Sequence, residues 1–351
     1  MADLVNWEIA RRVGAALAGR TPAAQDSSLI DDFAEFTALA EQLVEAETGL
    51  HSQRGRARAQ VVDRAGWVNM NVASYARLLR PLADRLAHRM TGPAAPATRA
   101  IAGAELGAML GWMSTRVLGQ YDALLPDDDS ADGDVVYYVG PNILALEQRH
   151  GFPPRQFRLW IALHEVTHRA QFTGVPWMQA HFRSLVDASL GAITPDPKRM
   201  LDGLRRAAVA VREGRNPLDD GGLVALLAGP EQHEVLQRVQ GLMSLLEGHG
   251  DVTMDRAGVD HIPLSGLFSE TLRVRRQTRP GVAKVVQQLI GLDAKMKQYE
   301  AGERFVAAVE RAGGAPLLAR VWERAENLPT LMEIRRPELW LERVRLEVGA
   351  S

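Results

Sequence analysis

Apolar residues recur every three or four positions through most of the chain, and this period limits the fold more than any other feature of the sequence. In residues 28–50 the repeat brings Leu29, Phe33 and Phe36 to one face, with acidic residues between them. Such a stripe is typical of an amphipathic helix that buries its apolar face. Residues 1–20 carry several charges and therefore make a poor signal peptide. We interpret them as another amphipathic helix. The same pattern predicts further helices over residues 72–90, 100–118, 154–172, 232–255, 282–301 and 303–312.

Residues 134–139, DVVYYV, have the clearest strand pattern, because β-branched and aromatic residues lie there between turn-forming clusters. One strand is not stable alone, so it needs a partner, and residues 60–68 are a candidate. The predicted fold class is therefore mainly α (α+β), with a small sheet and many surrounding helices. Loops rich in proline, glycine and aspartate are predicted at residues 126–134, 194–197 and 212–222.

The composition is that of a soluble globular protein, since 46% of the 351 residues are apolar and 24% are charged. The 41 basic residues nearly balance the 43 acidic ones, which disfavours nucleic acid or an anionic membrane as a partner. No apolar stretch reaches the roughly 18 residues of a membrane span, so we expect a cytoplasmic protein. There are no cysteines, so any metal ligands must be nitrogen or oxygen atoms.

The length suits two average domains or one large one, and we predict a single domain over residues 1–351, with a helical N-terminal part at 1–98 and a core at 99–351. In this core a predicted helix carries glycine at every fourth position. Small residues at that spacing predict close packing against another helix, which we favour over dimerisation in a membrane. The glycines are Gly103, Gly107 and Gly111.

The segment WIALHEVTHRAQF at 160–172 carries two histidines, His164 and His168, with Glu165 beside the first. Pro154 suits the first turn of a helix and Gly174 its end, so the segment is predicted to form one helix. The two imidazoles then lie one turn apart on its apolar face. Two neutral imidazoles at this spacing are what a catalytic zinc ion needs.

A zinc ion at this place would give Glu165 the role of a general base. Zinc lowers the pKa of a bound water toward about 7, and a carboxylate one residue along can take the proton without being a ligand. The alternative is structural, with two hydrogen-bonded core histidines beside a Glu165 that forms a salt bridge. The inward position of both histidines among aromatic residues favours the zinc hypothesis.

A catalytic zinc needs a third protein ligand, and Glu247 is the preferred candidate. Residues 232–255 read as a helix in which Glu247 and Asp251 share an inward face. Glu247 could bind the ion while Asp251 accepts the free N–H of a ligand histidine. Gly248 and Gly250 would weaken this helix unless another, here the histidine helix, approaches closely. The alternatives left open are a pair of exposed acids, or ligation by Asp251 itself, His181, His249 or His261.

The motif HEVTH, followed by Glu247 and Asp251, resembles the gluzincin branch of the zincin metallopeptidases. Further segments resemble, more closely, an actinobacterial family of zincin-like proteins, some of which are associated with the biosynthesis of a deazaflavin coenzyme. The resemblance implies a zincin-like metallohydrolase core and zinc as cofactor. It implies His164, His168 and Glu247 as ligands, Glu165 as the catalytic residue and Asp251 as support for a ligand histidine. The segments are VLGQYD (117–122), VGPNI (139–143), LWIALHEVTHRAQFTGVPW (159–177), SLLEGHGDVTMD (244–255) and GLDAKMKQYEAGERFV (291–306).

Together these features predict a zinc-dependent hydrolase, most simply a metallopeptidase, in which Glu165 acts as general base on a zinc-bound water. Its substrate would be a peptide or another amide, and neither nucleic acid nor a membrane is expected as a partner. The alternative is a noncatalytic helical protein that binds zinc for its structure or for a partner surface. The intact Glu165 favours catalysis, because a structural site has no use for a base.

The surroundings of the predicted site leave two questions open. The strand at 134–139 could be the edge that holds an extended substrate or, equally, a buried scaffold strand. The oxyanion could be stabilised by Tyr299, by His261 or by a cluster of arginines, which otherwise forms a solvated face or salt bridges. These arginines are Arg273, Arg275, Arg276 and Arg279.

Overall fold

The computed structural model describes residues 4–19, 27–86, 92–122, 134–191, 230–277 and 292–349, most of which are helical. The predicted fold class, mainly α with a small sheet, is confirmed. The first seven helices are α1 (Trp7–Ala18), α2 (Ser27–Thr48), α3 (Arg64–Leu78), α4 (Arg80–Leu86), α5 (Ala95–Ser114), α6 (Gly140–His150) and α7 (Pro154–Thr173). The later helices are α8 (Met178–Gly191), α9 (Pro230–Ala257), α10 (Ser265–Gln277), α11 (Leu292–Ala319), α12 (Leu331–Arg335) and α13 (Pro337–Gly349). The strands are β1 (Arg58–Val62), β2 (Gly119–Tyr121) and β3 (Val135–Val139).

Most predicted helices are present with shifted ends. The segment predicted as one helix at 72–90 is divided into α3 and α4, and α3 begins at Arg64, where the Asp63 side chain accepts a hydrogen bond from the Gly66 amide at 2.6 Å. The predicted helix at 303–312 lies within α11. Outside the described residues lie the predicted loops at 194–197 and 212–222, residues 126–133 of a third loop, and residues 87–90 and 282–291 of two predicted helices.

The chain divides into two compact units. Unit 1 contains Met1–Gly174 and Arg256–Phe268, and unit 2 contains Val175–Asp255 and Ser269–Ser351. The sheet and the histidine helix α7 belong to unit 1. The single domain over residues 1–351, with a part at 1–98, stays a prediction.

The sheet of unit 1 has the strand order β1-β3-β2, with β1 parallel and β2 antiparallel to β3. The strand predicted at 134–139 is β3, and the proposed partner region at 60–68 contains the end of β1. Every residue of β3 is buried and the strand lies in the centre, so its predicted role as a substrate edge is wrong and its role as scaffold is right. Among the described strands, β2 is an edge that the sequence analysis did not predict.

Helices α1 and α5 of unit 1 pack backbone to backbone, as the spaced glycines predicted. A Cβ atom at Gly103 would lie 2.4 Å from the carbonyl oxygen of Asn6, and one at Gly107 would lie 2.4 Å from that of Ala10. Both distances are far shorter than a van der Waals contact, so only glycine fits. None of the described helices is long and apolar enough to cross a membrane. The cytoplasmic location stays a prediction.

Helices α2 and α7 lie against the central strand β3. The ring of Phe33 on α2 stacks on Tyr138 at 3.9 Å, and the Tyr138 hydroxyl lies 2.7 Å from that of Thr37. Arg169 on α7 is 1% exposed and donates to Asp134, at the start of β3, over 2.8 Å. It also pairs with Glu41 on α2. These contacts fix the histidine helix against the sheet.

In unit 2, α9 and α11 also pack through glycine. A Cβ atom at Gly248 would lie 2.2 Å from the carbonyl carbon of Gly302 on α11. Glycine is therefore needed at position 248 because α11 approaches closely there. The sequence analysis attributed this glycine to the histidine helix, which is wrong for this residue. The ring of Phe305 on the same helix packs edge-on against Trp340 of α13 at 5.6 Å.

Candidate metal centre

Helix α7 carries the two predicted histidine ligands on one face. Pro154 lies in the first turn and Gly174 caps the end, as the sequence predicted. His164 and His168 are half-buried, with ring centroids 4.7 Å apart and ring planes at 89°. Their Nε2 atoms lie 3.3 Å from each other. The spacing of one helical turn therefore places the two Nε2 atoms close enough to bind the same cation.

The separation of the two Nε2 atoms fits a shared cation. In a tetrahedral zinc site the Zn–N distance is about 2.0–2.1 Å, which sets two nitrogen ligands about 3.3 Å apart. Without a cation, the same pair would form one N–H···N hydrogen bond. A catalytic zinc ion needs a third protein ligand besides the two imidazoles, and a carboxylate is a common one.

Glu247 on α9 supplies such a carboxylate and is 7% exposed. One ligand atom from each of His164, His168 and Glu247 lies within 4.8 Å of the other two, so this group could hold a metal ion. Two imidazoles and one carboxylate are a common ligand set of catalytic zinc, which keeps its fourth position for water. The donor atoms present therefore fit zinc.

Gln171 contacts Nδ1 of His168 and so favours one tautomer of this ring, a role that the sequence did not reveal. The side-chain oxygen of Gln171 accepts a hydrogen bond from Nδ1 of His168 at 3.0 Å, and Gln171 is fully buried. With the proton held on Nδ1, the lone pair of Nε2 is available to a cation. The spacing of three residues along one helix would have revealed this partner.

Asp251, the predicted support for a ligand histidine, hydrogen-bonds the carboxyl group of Glu303 on α11. Burial and the charge of Asp255 raise the pKa of Glu303, and the hydrogen bond to Asp251 opposes this rise. A role of Asp251 beside a histidine stays a prediction.

The other histidines considered as ligands have different surroundings. The ring of His249 is buried and lies 5.0 Å from that of Trp322. The ring of His181 lies 5.9 Å from that of Trp177, and burial lowers the pKa of His181, an effect to which the charge of Arg238 adds. His261 is exposed.

The candidate base Glu165 lies in unit 1 between α7 and the sheet, and 8% of it is exposed. A Cβ atom at Gly119 on β2 would lie 2.7 Å from Oε1 of Glu165, so the carboxyl group rests on the strand backbone. Burial raises the pKa of Tyr138, and the charge of Glu165 raises it further, so Tyr138 stays neutral beside this carboxylate. Glu165 is thus largely shielded from water.

The predicted oxyanion donors other than His261 fall where the structure describes no side chain. The side chains of Tyr299, Arg273, Arg275 and Arg276, and the whole of Arg279, lie outside its described part. Their roles stay predictions.

A helix with two histidines around a glutamate, on a mainly α fold with a small sheet, defines the zincin class of protein. The profile of the zincin-like metallopeptidases matches residues 5–341, and the chain belongs to that family. It is also similar to a protein from Chloroflexus aurantiacus whose crystal structure is described as that of a candidate hydrolase with a novel fold. The identity is 32% and the TM-score 0.73, over 97% of this chain and 99% of the other. No curated protein matches the chain significantly.

The match confirms the predicted resemblance to zincin metallopeptidases and supports a bound metal ion, usually zinc in this family. The association with a deazaflavin coenzyme stays a prediction.

Proposed function

We propose that this protein is a zinc-dependent hydrolase that cleaves a peptide or another amide bond, with Glu165 as general base. The observation that carries the proposal is the group formed by His164, His168 and Glu247, which joins three donor atoms of the kinds that catalytic zinc prefers. Membership of the zincin-like family and similarity to a candidate hydrolase support the same reaction class.

In this proposal the three ligands hold the ion, and Gln171 keeps the proton of His168 on Nδ1. A zinc ion bound there would lower the pKa of water toward about 7 and polarise the substrate carbonyl. The Glu165 carboxylate would accept a proton from the attacking water and pass it to the leaving nitrogen. Its low exposure beside the sheet supports this role, because exclusion of water strengthens the electrostatic interactions within a site.

The edge strand supports a substrate with a peptide backbone. The amide of Val139 donates to the carbonyl of Leu118 at 2.8 Å, and in an antiparallel pair such residues alternate with unbonded ones. Gly119 is next in register, so its N–H and C=O point away from β3. An extended peptide could add to β2 at this position, directly beside Glu165.

The test combines metal analysis with a Glu165→Gln variant, which keeps the shape of the side chain and removes the base. We expect stoichiometric zinc in both proteins, and turnover of a mixed peptide library that falls by about 100-fold to 10,000-fold in the variant. Equal turnover in the two proteins would exclude Glu165 as the base. Zinc-loaded wild-type protein that cleaves no peptide or amide would support the noncatalytic alternative instead.

A further inference from the structure

We propose that Gly119 is a positioning residue for Glu165, and this inference rests on the proposed function. An ideal Cβ atom at Gly119 would lie 2.6 Å from Cγ, 2.7 Å from Oε1 and 2.8 Å from Cδ of Glu165. No real Cβ atom comes this close to another heavy atom. Because glycine has no Cβ atom, position 119 leaves the space that the Glu165 carboxyl group occupies.

The backbone conformation of Gly119 gives no other reason for glycine. The glycines with positive φ among the described residues are Gly19, Gly49, Gly55, Gly92, Gly151 and Gly314, and Gly119 is absent from this set. A glycine inside a strand weakens it, and its usual justification is close approach of another group. Here the group that approaches is the carboxyl end of Glu165.

Strand β2 cannot easily move aside to admit a Cβ atom, because it is held both by β3 and by α3. Its pairing with β3 places Gly119 opposite Tyr138, which is fully buried. The next residue, Gln120, exchanges two side-chain hydrogen bonds with Asn71 on α3, each of 3.2 Å. Asp122 accepts a hydrogen bond from Ser74 on the same helix. The flexible end of Glu165 must give way instead.

The expected result of Gly119→Ala is a displaced base in a folded protein. Because the atoms that must move end a flexible side chain, Tm should change by less than about 4 °C. Zinc content and KM should stay the same, whereas kcat should fall about 100-fold, the cost of moving a catalytic group by about 1 Å. The factor should be smaller in a Glu165→Asp background, since the shorter side chain leaves space for the methyl group.

Two matched glycine variants serve as controls. Gly266→Ala meets no atom within 4 Å and should leave Tm and kcat unchanged. A Cβ atom at Gly107 meets the backbone of α1, so Gly107→Ala should lower Tm without a specific loss of kcat in the folded fraction.

A crystal structure of Gly119→Ala gives a result that does not depend on activity. A Glu165 carboxyl group displaced by about 1 Å or more supports the inference, and one that superposes on the wild type within about 0.5 Å overturns it. An unchanged kcat also overturns it. If the wild type has no activity, the proposed function fails by itself, and the position of the carboxyl group still decides the role of Gly119.

Discussion

At the scale of single residues, the surroundings of the two histidines limit their chemistry more than their spacing does. His168 has its Nδ1 proton held by a buried amide oxygen, and Glu165 rests against a strand without a side chain at that place. The first contact fixes which nitrogen of His168 carries the proton, and the second fixes the position of the Glu165 carboxyl group. Small changes of these neighbours should therefore alter metal affinity and proton transfer separately.

Replacing Gln171 by leucine should weaken zinc binding. The variant leaves the Nδ1 proton of His168 without its 3.0 Å acceptor, so the tautomer that frees Nε2 loses its support. Loss of such a partner costs metal affinity by about 10-fold to 100-fold. Competition with a chromophoric chelator measures the change. Gln42→Leu, on the exposed face of α2, is the matched control, and equal affinities in the two variants would contradict the role of Gln171.

Tyr121 predicts a loss of stability in alkali. Burial, and next the charge of Asp134, raise the pKa of Tyr121 to about 12 from an ordinary 10.0. Between these pH values the unfolded chain has lost the proton that the folded chain retains, so stability falls as pH rises. The shift corresponds to at most about 3 kcal/mol. Urea unfolding at pH 8 and pH 11 should show a smaller loss for Tyr121→Phe than for the wild type; the same loss in both would refute the assignment.

At the scale of elements, α7 is held against the sheet and α2 by a buried cation. Arg169 is 1% exposed and pairs with Asp134 and Glu41, which are on different elements. Its desolvation is offset only while both acids are present. The histidine helix therefore depends on charges that lie outside it in sequence.

Arg169→Leu should destabilise the protein by about 3–5 kcal/mol, because it leaves Asp134 and Glu41 without their cation. The exposed Arg155 pairs with Asp32 and Glu35, and its replacement by leucine should change stability little, since Glu35 is exposed to water and Asp32 keeps its ion pair with Arg158. Urea denaturation of both variants at pH 7 tests the contrast. Similar losses from the two substitutions would show that burial of Arg169 is not the cause.

At the scale of the whole molecule, bound zinc should stabilise the fold. An ion that binds only the folded chain adds about 4 kcal/mol when its free concentration is 1,000 times Kd. A chelator should therefore lower Tm in the wild type and in Glu165→Gln, which retains all three proposed ligands. It should have no effect on His164→Ala. A Tm shift of equal size in that variant would locate the ion elsewhere.

Features that depend on the spacing of residues within one helix could be predicted from the sequence. The ends of α7 followed from Pro154 and Gly174, and the two histidines followed from helical period. Glu247 could be proposed because it lies on an inward stripe of its own helix. The helix contact of Gly107 followed from glycine at every fourth position.

Tertiary contacts explain what the sequence did not predict. Strand β2 is three residues long and begins with glycine, so it has no recognisable strand pattern. The proposed role of Gly119 depends on a tertiary contact, because the side chain of Glu165, which is distant in sequence, packs against it. Gly248 was assigned to the wrong neighbour because a helix pattern shows that something approaches closely but not which helix does so.

If a peptide adds to β2 as proposed, the shortness of this strand limits how many peptide residues can pair with it. Its unbonded register positions are Gly119 and Tyr121, so the described strand offers main-chain partners over a span of about three residues. A peptide of three residues would then already pair with all of these groups. Any preference for longer peptides would have to come from contacts with peptide side chains beyond this three-residue strand.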